Sequence, residues 1–403
     1  MSKVLFLNIL GHGHINPTIG IVKELINRGD EVTYLAGEEF RDKIEKTGAK
    51  FKGHKNLLNS DFLGGNSNFE NNQGLLDGMS TLKEIIEIIF NSKEKFDYII
   101  YDSSFMLGQE IGRVLKIPTI CSNTTFAVNE KILELQADKF KSQLEEIKPK
   151  IATILSSSFF MGFIKELKEK YDINFPVMLE QFAGKGMMNI VYTSKFFQPY
   201  GESFDESYKF IGPSIADREE NIHIDLDNED KKIIYISLGT VFNDLVEFYE
   251  DCFKAFKDVD AKVIMSVGKK ININMFKEIP SNFIVRNYVS QLEVLRHTDV
   301  FITHGGMNSA SEGLYYDVPL ILIPQSVDQP YIANRVVELG AGITIDKNKI
   351  TPEILKESVV KVLSDDNFKI NSRKVGKSLR EAGGYKKGVA EIIDFTSSIS
   401  QLV

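Results

Sequence analysis

The chain has 403 residues, with 48 Lys and Arg against 56 Asp and Glu, for a net charge of −8. That balance excludes a nucleic-acid binder working through a basic footprint, and 43% apolar with 26% charged residues excludes a disordered chain. No apolar run approaches the ~20 residues of a membrane span, and two cysteines without a CxxC exclude a zinc ribbon or a disulfide framework. Cys121 and Cys252 read as small apolar core or near-surface residues. At roughly 150 residues per domain the length suggests two to three domains. The N-terminus is too short in apolar residues for a secretory signal, so a cytoplasmic location is the expectation.

Val4 to Leu10 is an apolar run suited to a buried parallel strand. Gly11 to Asn16 reads as a turn. Pro17 stands at a first helical position, with Ile19, Ile21, Val22, Leu25 and Ile26 at helical spacing and Gly29 as the stop. Glu31 to Leu35 begins a second strand. Asn59 to Gly78, rich in Asn and Gly, reads as a loop. Phe96 to Tyr101 is a strand ending at Asp102, followed by strands at Pro118–Ser122 and Met188–Tyr192. Glu130 to Tyr171 carries helical spacing outside the basic βα repeat.

Gly212 to Lys232 is acidic and poor in apolar residues, and reads as a linker. The pattern then restarts: a strand at Ile233–Ser237, a turn at Leu238-Gly239-Thr240 and a helix at Val246–Phe256. Further strands follow at Lys262–Val267, Asp299–Thr303 and Pro319–Ile323, where the series closes. Two halves that each alternate β and α predict two parallel-sheet α/β domains. Ligands of such sheets bind beyond the C-terminal strand ends.

The residues with chemistry lie at those ends. His14 follows the first strand and Asp102 a later one. A carboxylate behind an imidazole holds one tautomer and stabilises the ring when it takes a proton; two unrelated loop residues would look the same in sequence. Gly11-His12-Gly13-His14 is not a dinucleotide fingerprint, because Asn16 occupies a glycine slot. In the second half, Thr303-His304-Gly305-Gly306-Met307-Asn308-Ser309 joins a strand to a helix. Its glycines admit close backbone approach, and a helix N-terminus suits a phosphate. Ser309-Ala310-Ser311-Glu312 also matches a capping box, which would make Glu312 a helix cap. Asp328 and Gln329 stand at another strand-to-helix turn, as contacts for a polyhydroxylated ligand or as caps of the helix that Pro330 begins.

Taken together, these segments resemble the bacterial macrolide-type glycosyltransferases, nucleotide-sugar-dependent enzymes of GT-B fold. The resemblance is carried by Gly11-His12-Gly13-His14-Ile15-Asn16-Pro17, Ser237-Leu238-Gly239-Thr240, Tyr288-Val289-Ser290-Gln291-Leu292, and the block from Thr303 through Glu312, Val318-Pro319, Pro324-Gln325 and Asp328-Gln329 to Asn334-Arg335. It implies two Rossmann-like domains facing across a cleft. Residues 1–212 would bind the acceptor, 213–232 link, 233–384 bind the nucleotide sugar, and 385–403 return as a helix to the first domain. It implies His14 as catalytic base and Asp102 as its supporting acid. Tyr288, with Val289, would lie on the uracil, in a chain without Trp. Gln291 and Glu312 would hold the ribose. Thr240, His304, Gly306, Asn308 and Ser309 would hold the diphosphate, and Asp328 and Gln329 the transferred sugar. Ser290 stands where the family usually carries Pro.

The implied reaction is inverting transfer of a hexose, glucose above all, from a UDP- or TDP-sugar, with no cofactor and no metal. The implied partners are that nucleotide sugar and a small lipophilic acceptor such as a macrolide, flavonoid or other phenol or alcohol. Apolar residues in 51–82 and 126–188 suit such an acceptor or ordinary packing. Phe62, Phe126 and Phe160, with His12 and Asn16 near the base, are the candidate contacts. His54, His223 and His297 read as turn or surface residues. Two alternatives stay open: a nucleotide-sugar epimerase of the same fold, against which His14 counts, and an inactive nucleotide-sugar-binding partner protein.

Overall fold

Val4 and Phe6 turn to one face of the first strand and Leu5 and Leu7 to the other, and all four are buried. A strand buried on both faces needs helices on both sides, and that requirement organises each half of the molecule. The structure is a computed structural model that describes residues 1–9, 11–55, 73–135, 157–175, 185–216, 231–240, 243–325 and 328–400. The chain divides into two compact units, Met1–Ser214 with Gly383–Val403, and Ile215–Ala382.

In the first unit, β1 (Lys3–Leu7), β2 (Glu31–Gly37), β3 (Lys50–His54), β4 (Tyr98–Asp102), β5 (Thr119–Asn123), β6 (Met188–Val191) and β7 (Tyr208–Phe210) form one parallel sheet. Its order is β3-β2-β1-β4-β5-β6-β7. One face carries Val4, Phe6, Tyr34 and Ile100 against Ile21 and Val22 of the helix Thr18–Asn27 and Val389 and Ile392 of the helix Gly384–Ser400. The other carries Leu5, Leu7, Ile99 and Tyr101 against Ile85, Ile86, Ile111 and Leu167. Each such buried side chain contributes about 1.5–3 kcal/mol. The last helix lies on Thr18–Asn27, and its first residue, Gly384, donates its amide to the Ile211 carbonyl at 2.6 Å.

In the second unit, β8 (Lys232–Ser237), β9 (Ala261–Ser266), β10 (Phe283–Arg286), β11 (Val300–Thr303), β12 (Leu320–Leu322) and β13 (Gly342–Thr344) form a parallel sheet in the order β10-β9-β8-β11-β12-β13. Ile234, Ile236, Val263, Met265 and Ile302 pack against Cys252, Phe253, Phe256, Leu355 and Val359 on one face. On the other, Tyr235 of β8 stacks on its register partner Phe301 of β11, with ring centroids 4.6 Å apart.

Several expectations change. The series does not close at Ile323, since β13 follows, and β3, β7 and β10 were not anticipated. Gln73 to Gly78 is not loop but the start of the helix Gln73–Asn91, continuous with the apolar stripe of Met79, Ile85, Ile86 and Ile89. Pro17 is the N-cap, one residue before the helix. His54 is no surface residue: it ends β3 and is buried. His223 and most of the acidic linker lie outside the described residues. Both cysteines are buried and reduced. No described helix is long and apolar enough to cross a membrane.

Candidate functional site

Each sheet reverses its strand order once, between β1 and β4 in the first unit and between β8 and β11 in the second. At such a switch point the two following loops leave in opposite directions and open a crevice past the strand ends. His14 follows β1 and Asp102 is the last residue of β4. Asp102 is fully buried, and its Oδ2 lies 2.8 Å from His14 Nδ1, while a quarter of the His14 side chain stays exposed. The Ser104 amide donates to Asp102 Oδ1 at 2.9 Å. Burial alone pushes this carboxyl up, but the charge and hydrogen bond of His14 and the Ser104 amide outweigh it and hold it below its ordinary range. An ionised carboxylate only accepts, so the imidazole proton belongs on Nδ1 and the lone pair on Nε2.

Two partners were not anticipated. Thr124, directly after β5 and buried, brings Oγ1 to 2.8 Å from the same Nδ1. Asn8, directly after β1 and fully buried, donates its side-chain amide to the His14 carbonyl at 3.0 Å and so braces His12–Ile15, which is a short helix and not the turn expected there. The strand-end rule that singled out Asp102 points to both.

Around them, His12 stands edge-on to Phe40 at 5.0 Å, and Asn16 Oδ1 accepts from Lys43 Nζ. Phe126 and Phe160 are buried, edge-on to Phe197 and Phe175 respectively, so their rings present little surface. Phe159, Met161 and Met187, by contrast, are more than half exposed. Phe62 lies outside the described residues.

In the second unit, Gly239 and Thr240 follow β8, and His304 follows β11. The imidazole of His304 fills the space where side chains would begin: a Cβ on Gly239 would lie 2.5 Å from its Cε1, and one on Gly306 2.6 Å from its Nε2. Gly239 also holds φ at +78°, a region that favours glycine. Thr303 Oγ1 lies 3.3 Å from His304 Nδ1. Although part of the residue reaches solvent, burial of the ring pushes His304 down to about 4, so it is a neutral hydrogen-bonding group at pH 7.

Gly306 is the N-cap of the helix Met307–Tyr315 and supplies no side-chain cap, so the positive end of that helix, with Asn308 and Ser309 in its first turn, follows β11 at the switch point. Ser309 is thus the third residue of the helix and Glu312 its sixth. The capping-box alternative falls, because neither residue stands at the helix start. Glu312 is buried and its Oε2 accepts from Gln291 Nε2 at 2.6 Å. Tyr288, just before, is 43% exposed, while Val289 is buried. Asp328 is the N-cap of the helix Gln329–Glu338 without a side-chain cap bond, and Gln329 Oε1 accepts the Gln325 amide at 2.8 Å.

Among the described residues, no three His, Cys, Asp or Glu side chains group as a metal would require.

Residues 250–382 match the family model described as "Erythromycin biosynthesis protein CIII-like, C-terminal domain". The chain is 36% identical to "Uncharacterized UDP-glucosyltransferase YojK" of Bacillus subtilis, across 100% of this chain and 99% of that one. It is also 36% identical to the NDP-glycosyltransferase YjiC of Bacillus subtilis, over 97% of both. Its fold matches the crystal structure of CalG4, the calicheamicin glycosyltransferase, with a TM-score of 0.82, 25% identity and 99% of both chains covered. With full-length relatives at this identity and two parallel-sheet α/β units, the chain belongs to the nucleotide-sugar-dependent, macrolide-type glycosyltransferases of GT-B fold.

Proposed function

We propose that the enzyme moves a hexose, glucose in the first instance, from a UDP-sugar to a hydroxyl of a small lipophilic acceptor, with inversion at the anomeric carbon. The observation that carries the proposal is the 2.8 Å contact of His14 Nδ1 with a fully buried Asp102 at the switch point of the first sheet. An acceptor hydroxyl is a weak nucleophile at neutral pH. His14 Nε2 takes its proton as it attacks, and Asp102 stabilises the imidazolium. Thr124 shares the Nδ1 side and steadies the ring.

The second unit holds the leaving group. The growing negative charge of the diphosphate falls on the first-turn amides of Met307–Tyr315, on His304 and Asn308, and on Ser309 and Thr240. A neutral His304 donates one hydrogen bond there without carrying charge. Gln291 and Glu312 take the ribose, the exposed ring of Tyr288 the base, and Asp328 and Gln329 the sugar. Tyr offers less stacking surface than the Trp absent from this chain. Charge is neutralised by protein dipoles, so the reaction proceeds without a metal. Exposed Phe159, Met161 and Met187 on the first unit suit a flat or macrocyclic apolar acceptor.

The test is incubation with UDP-glucose and a panel of flavonoids and macrolides in EDTA, read by mass for an added hexose. His14→Ala run beside it is expected to retain UDP binding and lose at least ~100-fold in turnover, the weight of a general base. Unchanged turnover would sink the assignment of the base. Loss of transfer in EDTA, restored by a divalent cation, would sink the metal-independent reading.

A further inference from the structure

Glu312 is a carboxylate almost wholly removed from water on the helix Met307–Tyr315, and Gln291 opens the helix Gln291–Leu295 beside it. Gln291 Nε2 donates to Glu312 Oε2 at 2.6 Å. The other end of the same amide is held as well: the hydroxyl of Tyr235 donates to Gln291 Oε1 at 3.2 Å. Tyr235 is itself enclosed. It is 1% exposed in the middle of β8, and its ring stacks on Phe301 at an interplanar angle of 15°. A primary amide has two flip states. Only one sets nitrogen toward the acceptor-only carboxylate, so Glu312 selects the orientation, and the Tyr235 hydroxyl holds the amide oxygen that this orientation turns toward it.

We propose that Tyr235 is a positioning residue for ribose recognition, acting through Gln291 to present an oriented amide donor beside the Glu312 carboxylate, and that this relay underlies discrimination between ribose and 2′-deoxyribose nucleotides. An accepting carboxylate and a donating amide nitrogen side by side match the two roles of a hydroxyl, and a vicinal diol offers two hydroxyls to such a pair. A site built to hydrogen-bond a hydroxyl penalises a ligand that lacks it, because its own polar groups lose a partner. The inference rests on the reading of Gln291 and Glu312 as the ribose site.

The test is Tyr235→Phe, which deletes one oxygen and keeps the ring stacked on Phe301. UDP and 2′-deoxy-UDP binding are measured by calorimetry on the whole enzyme, with KM and kcat for the UDP-sugar. The expected result is roughly 5-fold weaker UDP binding and a matching rise in KM, the weight of one hydrogen bond, with kcat retained. Affinity for 2′-deoxy-UDP falls less, so the preference for ribose shrinks. In a Gln291→Ala background the same substitution has no further effect, because its path is gone.

Equal weakening of both nucleotides, an undiminished effect in the Gln291→Ala background, or no change at all overturns the relay while leaving the donor site standing. A native enzyme that binds no UDP overturns the donor reading itself. One that binds UDP and 2′-deoxy-UDP equally overturns the ribose assignment of Gln291 and Glu312.

Discussion

Replacing Asp102 by Asn preserves the shape of the side chain and removes its charge, which isolates the proton chemistry from the packing. In the native site both carboxylate oxygens are engaged, Oδ2 with His14 Nδ1 at 2.8 Å and Oδ1 with the Ser104 amide at 2.9 Å. Asn has one oxygen to divide between them. If it stays with Ser104, its NH2 faces Nδ1. That nitrogen must then carry the lone pair, which moves the ring proton to Nε2 and abolishes the base there. If it turns to His14, its NH2 meets the Ser104 N–H, donor against donor, at a side chain that is itself fully buried. The imidazolium formed during transfer also loses its counter-charge. Two unit charges ~4 Å apart at an effective dielectric near 20 interact by about 4 kcal/mol, which corresponds to about 10³-fold in rate. The assay is kcat for hexose transfer at saturating UDP-sugar, with UDP binding by calorimetry and a thermal melt as controls. The expected outcome is a kcat lower by about 10³-fold with UDP affinity intact. A folded Asp102→Asn protein that loses less than about tenfold would refute the coupling of this carboxylate to the base.

Thr124→Val removes the hydroxyl 2.8 Å from His14 Nδ1 and keeps a side chain of the same shape in a buried position. It is expected to lower kcat by roughly 3- to 10-fold with little change in KM for the UDP-sugar, and an unaltered kcat would show that Thr124 does not steady the ring. His304 makes stability depend on pH. Its ordinary value of 6.5 falls to about 4 in the folded chain, so between these values the unfolded chain binds a proton that the folded chain does not. The contribution is complete above about pH 6.5 and declines as pH falls toward 4, modestly because part of the residue is solvated. His304→Gln, which does not titrate, should flatten the fall in melting temperature between pH 7 and pH 5 relative to the native protein; parallel curves would contradict the depressed value.

The sequence by itself revealed the strands buried on both faces. β1, β4, β5, β8 and β11 are apolar runs because helices cover both sides of the sheet, and such runs need no knowledge of partners to be read. The unread strands, β3, β7, β10 and β13, are the four sheet edges. Each is short or interrupted by polar residues, as in Lys-Phe-Lys-Gly-His of β3 and Gly-Ile-Thr of β13, because an edge strand is only half covered. The local chemistry was likewise legible where it follows a strand end: His14, Asp102, Gly239 and the run from His304 to Ser309. What tertiary structure alone decided is which of these residues meet. His14 and Asp102 stand 88 positions apart and become neighbours because β1 and β4 pair at the switch point. Thr124 joins them only because β5 pairs with β4. Glu312 fits a capping box by spacing, and only the helix start at Met307 makes it a buried acceptor for Gln291. The far end of that amide meets the hydroxyl of Tyr235, a residue that reads in sequence as one more member of an apolar strand. Pattern along the chain reports how much of each residue is buried; which polar groups face one another is set by strand order, and a linear sequence does not carry it.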